Sequence, residues 1–135
     1  MFLYLDTTSE ETHIKLFNKS GKVIDQTNWL SQKNQSEELL RKINKIIVKN
    51  CLNKHELSAI IVNQGPGSYT GLRVGLSTAN AIAFSLNIPI LAVKDGSNDK
   101  KIMKTISDIK QKPNRSQIMP IYKYPAKISK SKARP

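Results

Sequence analysis

The sequence predicts an α/β fold, a mixed five-stranded sheet in the order βββαβαβ with helices packed on it. Three observations carry this. Three short strand-like runs with turn signals fill the first thirty residues. After them an amphipathic pattern, an apolar run, a small-residue helical pattern and a second apolar run follow one another. Between the fourth strand and the second helix stands a joint with glycines at 65, 67 and 71 and a fourth at 75. Hairpin-linked strands pair antiparallel, and strand–helix–strand units return parallel, so the sheet is mixed.

Phe2-Leu3-Tyr4-Leu5 reads as a buried strand ending at Asp6. Thr12 to Phe17 alternates, with Ile14 and Leu16 on one face. Asn18-Lys19-Ser20-Gly21 is a hairpin turn, and Lys22 to Trp29 is the third strand. The first helix spans about Ser36 to Lys49, with Leu39, Leu40, Ile43, Ile46 and Ile47 on one side. Asn34 or Ser36 caps it, with Glu37 and Glu38 in the first turn and Lys45 and Lys49 towards the end. Leu57 to Val62 is the fourth strand and Ile88 to Val93 the fifth. The second helix, Gly71 to Leu86, carries Gly75, Ser77, Ala79, Ala81, Ala83 and Ser85, side chains small enough for another backbone to pack closely. After Val93 the chain turns polar. Ile102, Met103, Ile106 and Ile109 fit a short helix, Lys110 to Ser116 reads as a linker, and Gln117 to Tyr122 as a short extended segment.

A chain of 135 residues with 39% hydrophobic content is one domain with a real core. No apolar run approaches the ~18 residues of a membrane span. No secretory signal pattern opens the chain. The single cysteine, Cys51, excludes an internal disulfide, fits a reducing cytoplasm and is expected to be a small core hydrophobe. The net charge of +12 is uneven. Residues 1–93 hold ten Lys/Arg against seven Asp/Glu, and residues 94–135 hold twelve against three. Such a basic tail attracts phosphate backbones in a salt-dependent way.

The joint Gly65-Pro66-Gly67-Ser68-Tyr69-Thr70-Gly71-Leu72-Arg73-Val74-Gly75 lets the backbone turn sharply and approach a neighbour closely. A helix opening there points N–H groups outward, which suits an anion or a partner's carboxylate. The bland alternative is a tight strand-to-helix turn serving the fold alone. Read whole, GPGSYTGLRVGLSTANAIAFSLNIPILAV resembles the signature segment of the bacterial TsaB (YeaZ) family. Leu3-Tyr4-Leu5-Asp6-Thr7-Thr8 resembles that family's first strand, and Gln35-Ser36-Glu37-Glu38-Leu39-Leu40 its first helix start, with Gln35 where the family usually has histidine. The three blocks stand in family order across roughly residues 1 to 93.

The resemblance implies a lobe of the sugar-kinase/Hsp70/actin-like (ASKHA) fold over residues 1–93. A short helical bridge and linker follow over 94–116, then a basic, partly disordered tail over 117–135. Met119-Pro120-Ile121-Tyr122-Lys123 resembles the family's closing motif, so the expectation is a short form lacking most of the second lobe. The resemblance further implies a non-catalytic scaffold subunit in tRNA threonylcarbamoyladenosine (t6A) formation. It would pair with a TsaD-like subunit, alongside a TsaE-like ATPase, in the cytoplasm. The residues it points to, as a partner interface or a nucleotide-proximal loop, are Gly65, Pro66, Gly67, Ser68, Tyr69, Thr70, Gly71, Arg73, Gly75, Ala79, Ser36, Glu37 and Leu40. A homodimer through the same helices is an alternative pairing.

Asp6 and Thr7 occupy the place of the first phosphate loop of the superfamily's ATPases. No glycine separates Asp6 from Ser9, and no lysine is near. Asp6 is therefore expected to bond backbone groups at the turn or to stand as a relic, with no catalytic residue and no cofactor. Metal-holding TsaD-type subunits use paired histidines, whereas His13 and His55 lack ligand spacing, so no metal is expected. Trp29 and Tyr69 are expected to pack rather than stack on bases. The competing reading is a free-standing basic RNA-binding module that uses the Lys-rich tail on tRNA.

Overall fold

The structure, a computed structural model, describes residues 1–31, 35–94, 98–109 and 114–122. Strands β1 (Phe2–Asp6), β2 (Glu11–Phe17), β3 (Val23–Leu30), β4 (Ala59–Asn63) and β5 (Ile90–Val93) form one sheet in the order β3-β2-β1-β4-β5. β1, β2 and β3 pair antiparallel, while β1–β4 and β4–β5 pair parallel. The hairpin between β2 and β3 is set by Asn18, whose Oδ1 accepts from the backbone N–H of Ser20 and of Lys22. Gly21 follows at φ +87°, a left-handed geometry that favours glycine.

The parallel joins use helices. Helix α1 (Gln35–Lys49) leads from β3 towards β4, and α2 (Tyr69–Leu86) joins β4 to β5. Helix α3 (Asp99–Ile109) follows β5. Leu3, Leu5, Ile60 and Val62 face α1 and α2, packing with Leu39, Ile43, Leu72 and Leu76. Their strand neighbours Phe2, Tyr4, Ala59 and Ile61 face the other way, onto Ile102 and Ile106 of α3. Both faces are covered, so β1 and β4 are apolar almost throughout rather than alternating. A 2.6 Å ion pair between Lys15 and Asp99 ties α3 to β2.

Element limits differ from expectation by small amounts. α2 begins at Tyr69, two residues early, because the Ser68 hydroxyl accepts from the Gly71 N–H and caps it. β4 begins at Ala59, since Leu57 closes a short 3₁₀ turn over Lys54–Glu56 that also holds His55. Asn34 and the tail beyond Tyr122 lie outside the described residues. Cys51 is a correction. It is exposed at φ +56°, not buried. The Leu52 N–H donates to the Ile47 carbonyl and the Cys51 N–H to that of Val48, a Schellman end for α1 whose left-handed position is the cysteine.

Among the described residues, no helix is long and apolar enough to cross a membrane.

Candidate functional site

Asp6 ends β1 beside the glycine-rich joint. Its Oδ1 accepts from the Thr8 backbone N–H (2.9 Å) and the Thr8 hydroxyl (2.7 Å). Its Oδ2 accepts from the Tyr4 hydroxyl and the Asn63 amide, both at 3.1 Å. Four donors occupy the carboxylate. The turn after β1 is therefore built around Asp6, and Asn63 ties it to β4. Asn63 Oδ1 in turn accepts from the Gly65 N–H, which fixes the start of the joint.

The glycines admit the chain's own atoms. A β-carbon on Gly71 would collide with the Thr7 carbonyl oxygen, and one on Gly75 with the Thr7 hydroxyl. At Gly67 it would stand 2.6 Å from the Thr8 carbonyl oxygen. At Gly65, which has φ +112° ahead of a cis bond to Pro66, it would collide with the Ile121 carbonyl. The Thr8 carbonyl accepts from the Ser68 N–H at 3.1 Å. The β1–β2 turn thus packs directly against the glycine joint.

The small-residue stripe of α2 is likewise used inside the lobe. Gly71, Gly75, Ala79 and Ala83 recur every four residues and are all buried. The opposite face presents Thr70, Arg73, Ser77, Ala81 and Phe84, the last 88% exposed. Near the joint, Ser36 of α1 stands across from Tyr69, Thr70 and Arg73 around an open concavity of about 370 Å³. Glu37 and the half-exposed Leu40 continue the outer face of α1. Pro66 and Ser68 are exposed at the rim. The residues singled out by sequence therefore divide. Ser36, Tyr69, Thr70 and Arg73 meet at one surface, while Gly65, Gly71, Gly75 and Ala79 lie in the chain's own packing.

Tyr69 is held from two sides. Its ring stacks on Tyr122 with centroids 4.7 Å apart, and the Arg73 guanidinium lies 5.4 Å from the ring centre. Sequence reasoning read Gln117 to Tyr122 as a short extended segment but missed its return along α2 and the stack of Tyr122 on Tyr69. That contact is long-range and rests on side-chain amides, which carry no periodic signal. Gln35 donates to Ser31 and Thr12, whose hydroxyls are bonded to each other. Trp29 packs against the core with Lys42 above its ring, and Tyr69 stacks on a tyrosine of its own chain. Among the described residues, no three His, Cys, Asp or Glu side chains gather as a metal-binding group.

The family model described as "TsaD: tRNA N6-adenosine threonylcarbamoyltransferase" matches residues 26–97. The chain is 34% identical over 91 residues to the tRNA threonylcarbamoyladenosine biosynthesis protein TsaB of Bacillus subtilis, covering 67% of this chain and 39% of that protein. It is 30% identical over 93 residues to the protein of the same name from Haemophilus influenzae, covering 69% and 39%. Among solved structures, YeaZ from Pseudomonas aeruginosa superposes with a TM-score of 0.64 at 26% identity, covering 70% of this chain and 43% of that one. The chain belongs to the TsaB (YeaZ) family. Its sheet and helices form the α/β lobe of the ASKHA-like fold of TsaB and TsaD proteins. It spans about four-tenths of the length of these two TsaB relatives.

Proposed function

We propose that this chain is a non-catalytic scaffold subunit of the t6A modification machinery, and that it docks a TsaD-like subunit on the outer faces of α1 and α2. The names of the TsaB relatives support the pathway. One observation supports the scaffold reading above the rest. The Asp6 carboxylate is taken by four donors and the glycine joint by Thr7, Thr8 and Ile121, while Ser36, Thr70 and Arg73 beside them face outward. The phosphate-loop position has become a structural turn, and the polar chemistry left at that end is surface. A TsaE-like ATPase joins through the complex, and tRNA is reached through the TsaD-like subunit. The complex acts in the cytoplasm.

The test is size-exclusion chromatography with light scattering, on the chain alone and mixed with its cognate TsaD at micromolar concentration. The expected outcome is a one-to-one complex. Separate elution of the two at that concentration overturns the reading. A homodimer that dissolves when TsaD is added would mean that both pairings use one surface.

A further inference from the structure

Residues 114–122 lie along α2 and the open side of β5, held mainly through their backbone. The Asn80 amide forms a reciprocal pair with Ile118, donating to its carbonyl and accepting from its N–H, both at 2.9 Å. The Gln64 side chain donates to the Met119 carbonyl (2.9 Å), and the Gln64 carbonyl accepts from the Ile121 N–H (2.7 Å). At the far end, the Ile90 N–H donates to the Asn114 carbonyl (2.8 Å) and the Asn114 amide returns a bond to the Ile90 carbonyl (2.9 Å). Arg115 donates to the carbonyl of Asn87, which ends α2 in a left-handed turn (2.7 Å). Tyr122 closes the run on Tyr69.

Two features set this contact apart from ordinary core packing. None of the nine residues is fully buried. The segment is thus held by directed polar bonds, one aromatic stack and the partly buried Ile118 and Tyr122 at the margin of the core, a contact shallower than the interior of the lobe. The lobe also contributes groups that recognise backbone rather than particular side chains, namely Asn80, Gln64 and the edge of β5, as in strand-addition recognition of peptides. Both functions of the Asn80 amide are spent on Ile118, so a vacated groove offers one donor and one acceptor to an incoming backbone.

We propose that this groove is a backbone-reading peptide site, and that residues 114–122 of a second copy of this chain occupy it when the chain's own segment lifts away. The occupant follows from the complementarity just described, which this nine-residue stretch satisfies at both ends and the middle. A tethered segment competes at an effective concentration in the millimolar range. Trans occupation therefore rises when the tethered segment is weakened.

The probe is a fluorescent peptide with the sequence of residues 114–122, titrated by anisotropy against the full chain. The chain carries Asn114→Ala, Arg115→Ala and Tyr122→Ala, changes in the segment that leave the groove intact. Saturable binding at least tenfold tighter than to the unsubstituted chain is expected, and adding Asn80→Ala should weaken it at least tenfold. No binding to a variant that keeps its circular dichroism, or binding indifferent to Asn80→Ala, overturns the proposal. If the triple variant does not fold, the peptide carrying an N-terminal nitroxide is added at millimolar concentration to the unsubstituted chain, and the Asn80 side-chain amide resonances are followed. Broadening beyond that given by free nitroxide supports trans occupation, and unbroadened resonances overturn it.

Discussion

Gly75 lies directly under the Thr7 side chain, with room for a hydrogen and none for a methyl group. A β-carbon there would collide with the Thr7 hydroxyl and stand 2.9 Å from its methyl carbon. Thr7 is fully buried, and among the described residues its hydroxyl has no hydrogen-bond partner. Gly75→Ala gains about 1 kcal/mol of helix propensity. It is nevertheless expected to destabilise the chain by about 1–3 kcal/mol through overpacking. Thr7→Ala removes the two nearest atoms and leaves only its β-carbon, 3.0 Å away, so the double variant should recover part of that loss. Urea unfolding of the four-member cycle measures the coupling. Additive effects would show that the contact is not the cause.

The same turn yields a second expectation at Asp6. Its carboxylate accepts from Tyr4, twice from Thr8 and from Asn63. Asp6→Asn keeps the shape but turns one acceptor into a donor facing donors. The expected loss is about 1–3 kcal/mol of stability, read from the urea midpoint. A midpoint unchanged by the substitution would mean that the turn does not depend on the carboxylate.

Why some of this was legible and some was not follows from the residues themselves. β1, β4 and the apolar face of α1 announce themselves because burial imposes a local period on sequence. The glycine joint was visible as spacing, but its purpose was not. An anion and the neighbouring carbonyls of Thr7 and Thr8 make the same demand, an absent β-carbon. Gly71, Gly75 and Ala79 read as an invitation to a partner helix, since a small stripe looks alike whether it meets another chain or β1. The return of residues 114–122 had no local signal. Asn80 and Ile118 are 38 positions apart and join through one amide. Cys51 misled through composition, because a cysteine after an amphipathic helix suggests a buried thiol. The left-handed residue that a Schellman end requires decided its place instead.

That left-handed residue gives a third expectation. A side chain at φ +56° carries a penalty of roughly 1–2 kcal/mol that glycine escapes. Part of that gain returns as extra freedom of the unfolded chain. Cys51→Gly should therefore raise the thermal midpoint, and Cys51→Ala should not. Calorimetry on both variants decides. If the two shift together, the effect belongs to loss of the thiol and not to the backbone.

A fourth expectation concerns acid and the β3–α1 contact. The Asn50 amide donates to the Asp25 carboxylate at 2.9 Å, and the Lys49 ammonium lies 3.3 Å away. The Asn50 bond first, then the Gln26 backbone N–H and Lys49, hold the Asp25 carboxyl below its ordinary value against the opposing effect of burial. A carboxyl lowered by folding stabilises the fold above its unfolded pKa of about 3.9 and loses that contribution as pH falls through the folded value. The urea midpoint gap between the wild type and Asp25→Asn should therefore be widest above about pH 5 and close steadily below about pH 4. A gap that stays constant from pH 7 to pH 3 would assign the effect to shape rather than charge.

The last expectation concerns docking. Arg73 stands on the outer face of α2 opposite Ser36, and Leu40 lies one turn along α1 from Ser36 with 54% of its surface exposed. Neither belongs to the buried core, so reversing the charge at one and adding a charge at the other leaves the lobe folded. A charge set into a desolvated contact is costly, and losing a central arginine removes one of the side chains that dominate interfaces. Arg73→Glu and Leu40→Glu should each weaken association with the cognate TsaD at least tenfold, with circular dichroism unchanged. Lys54→Glu, in the 3₁₀ turn after α1, should leave it alone. Isothermal titration of all three separates a docking surface at this end of the helices from one elsewhere. Equal affinities across the set would move the contact off α1 and α2.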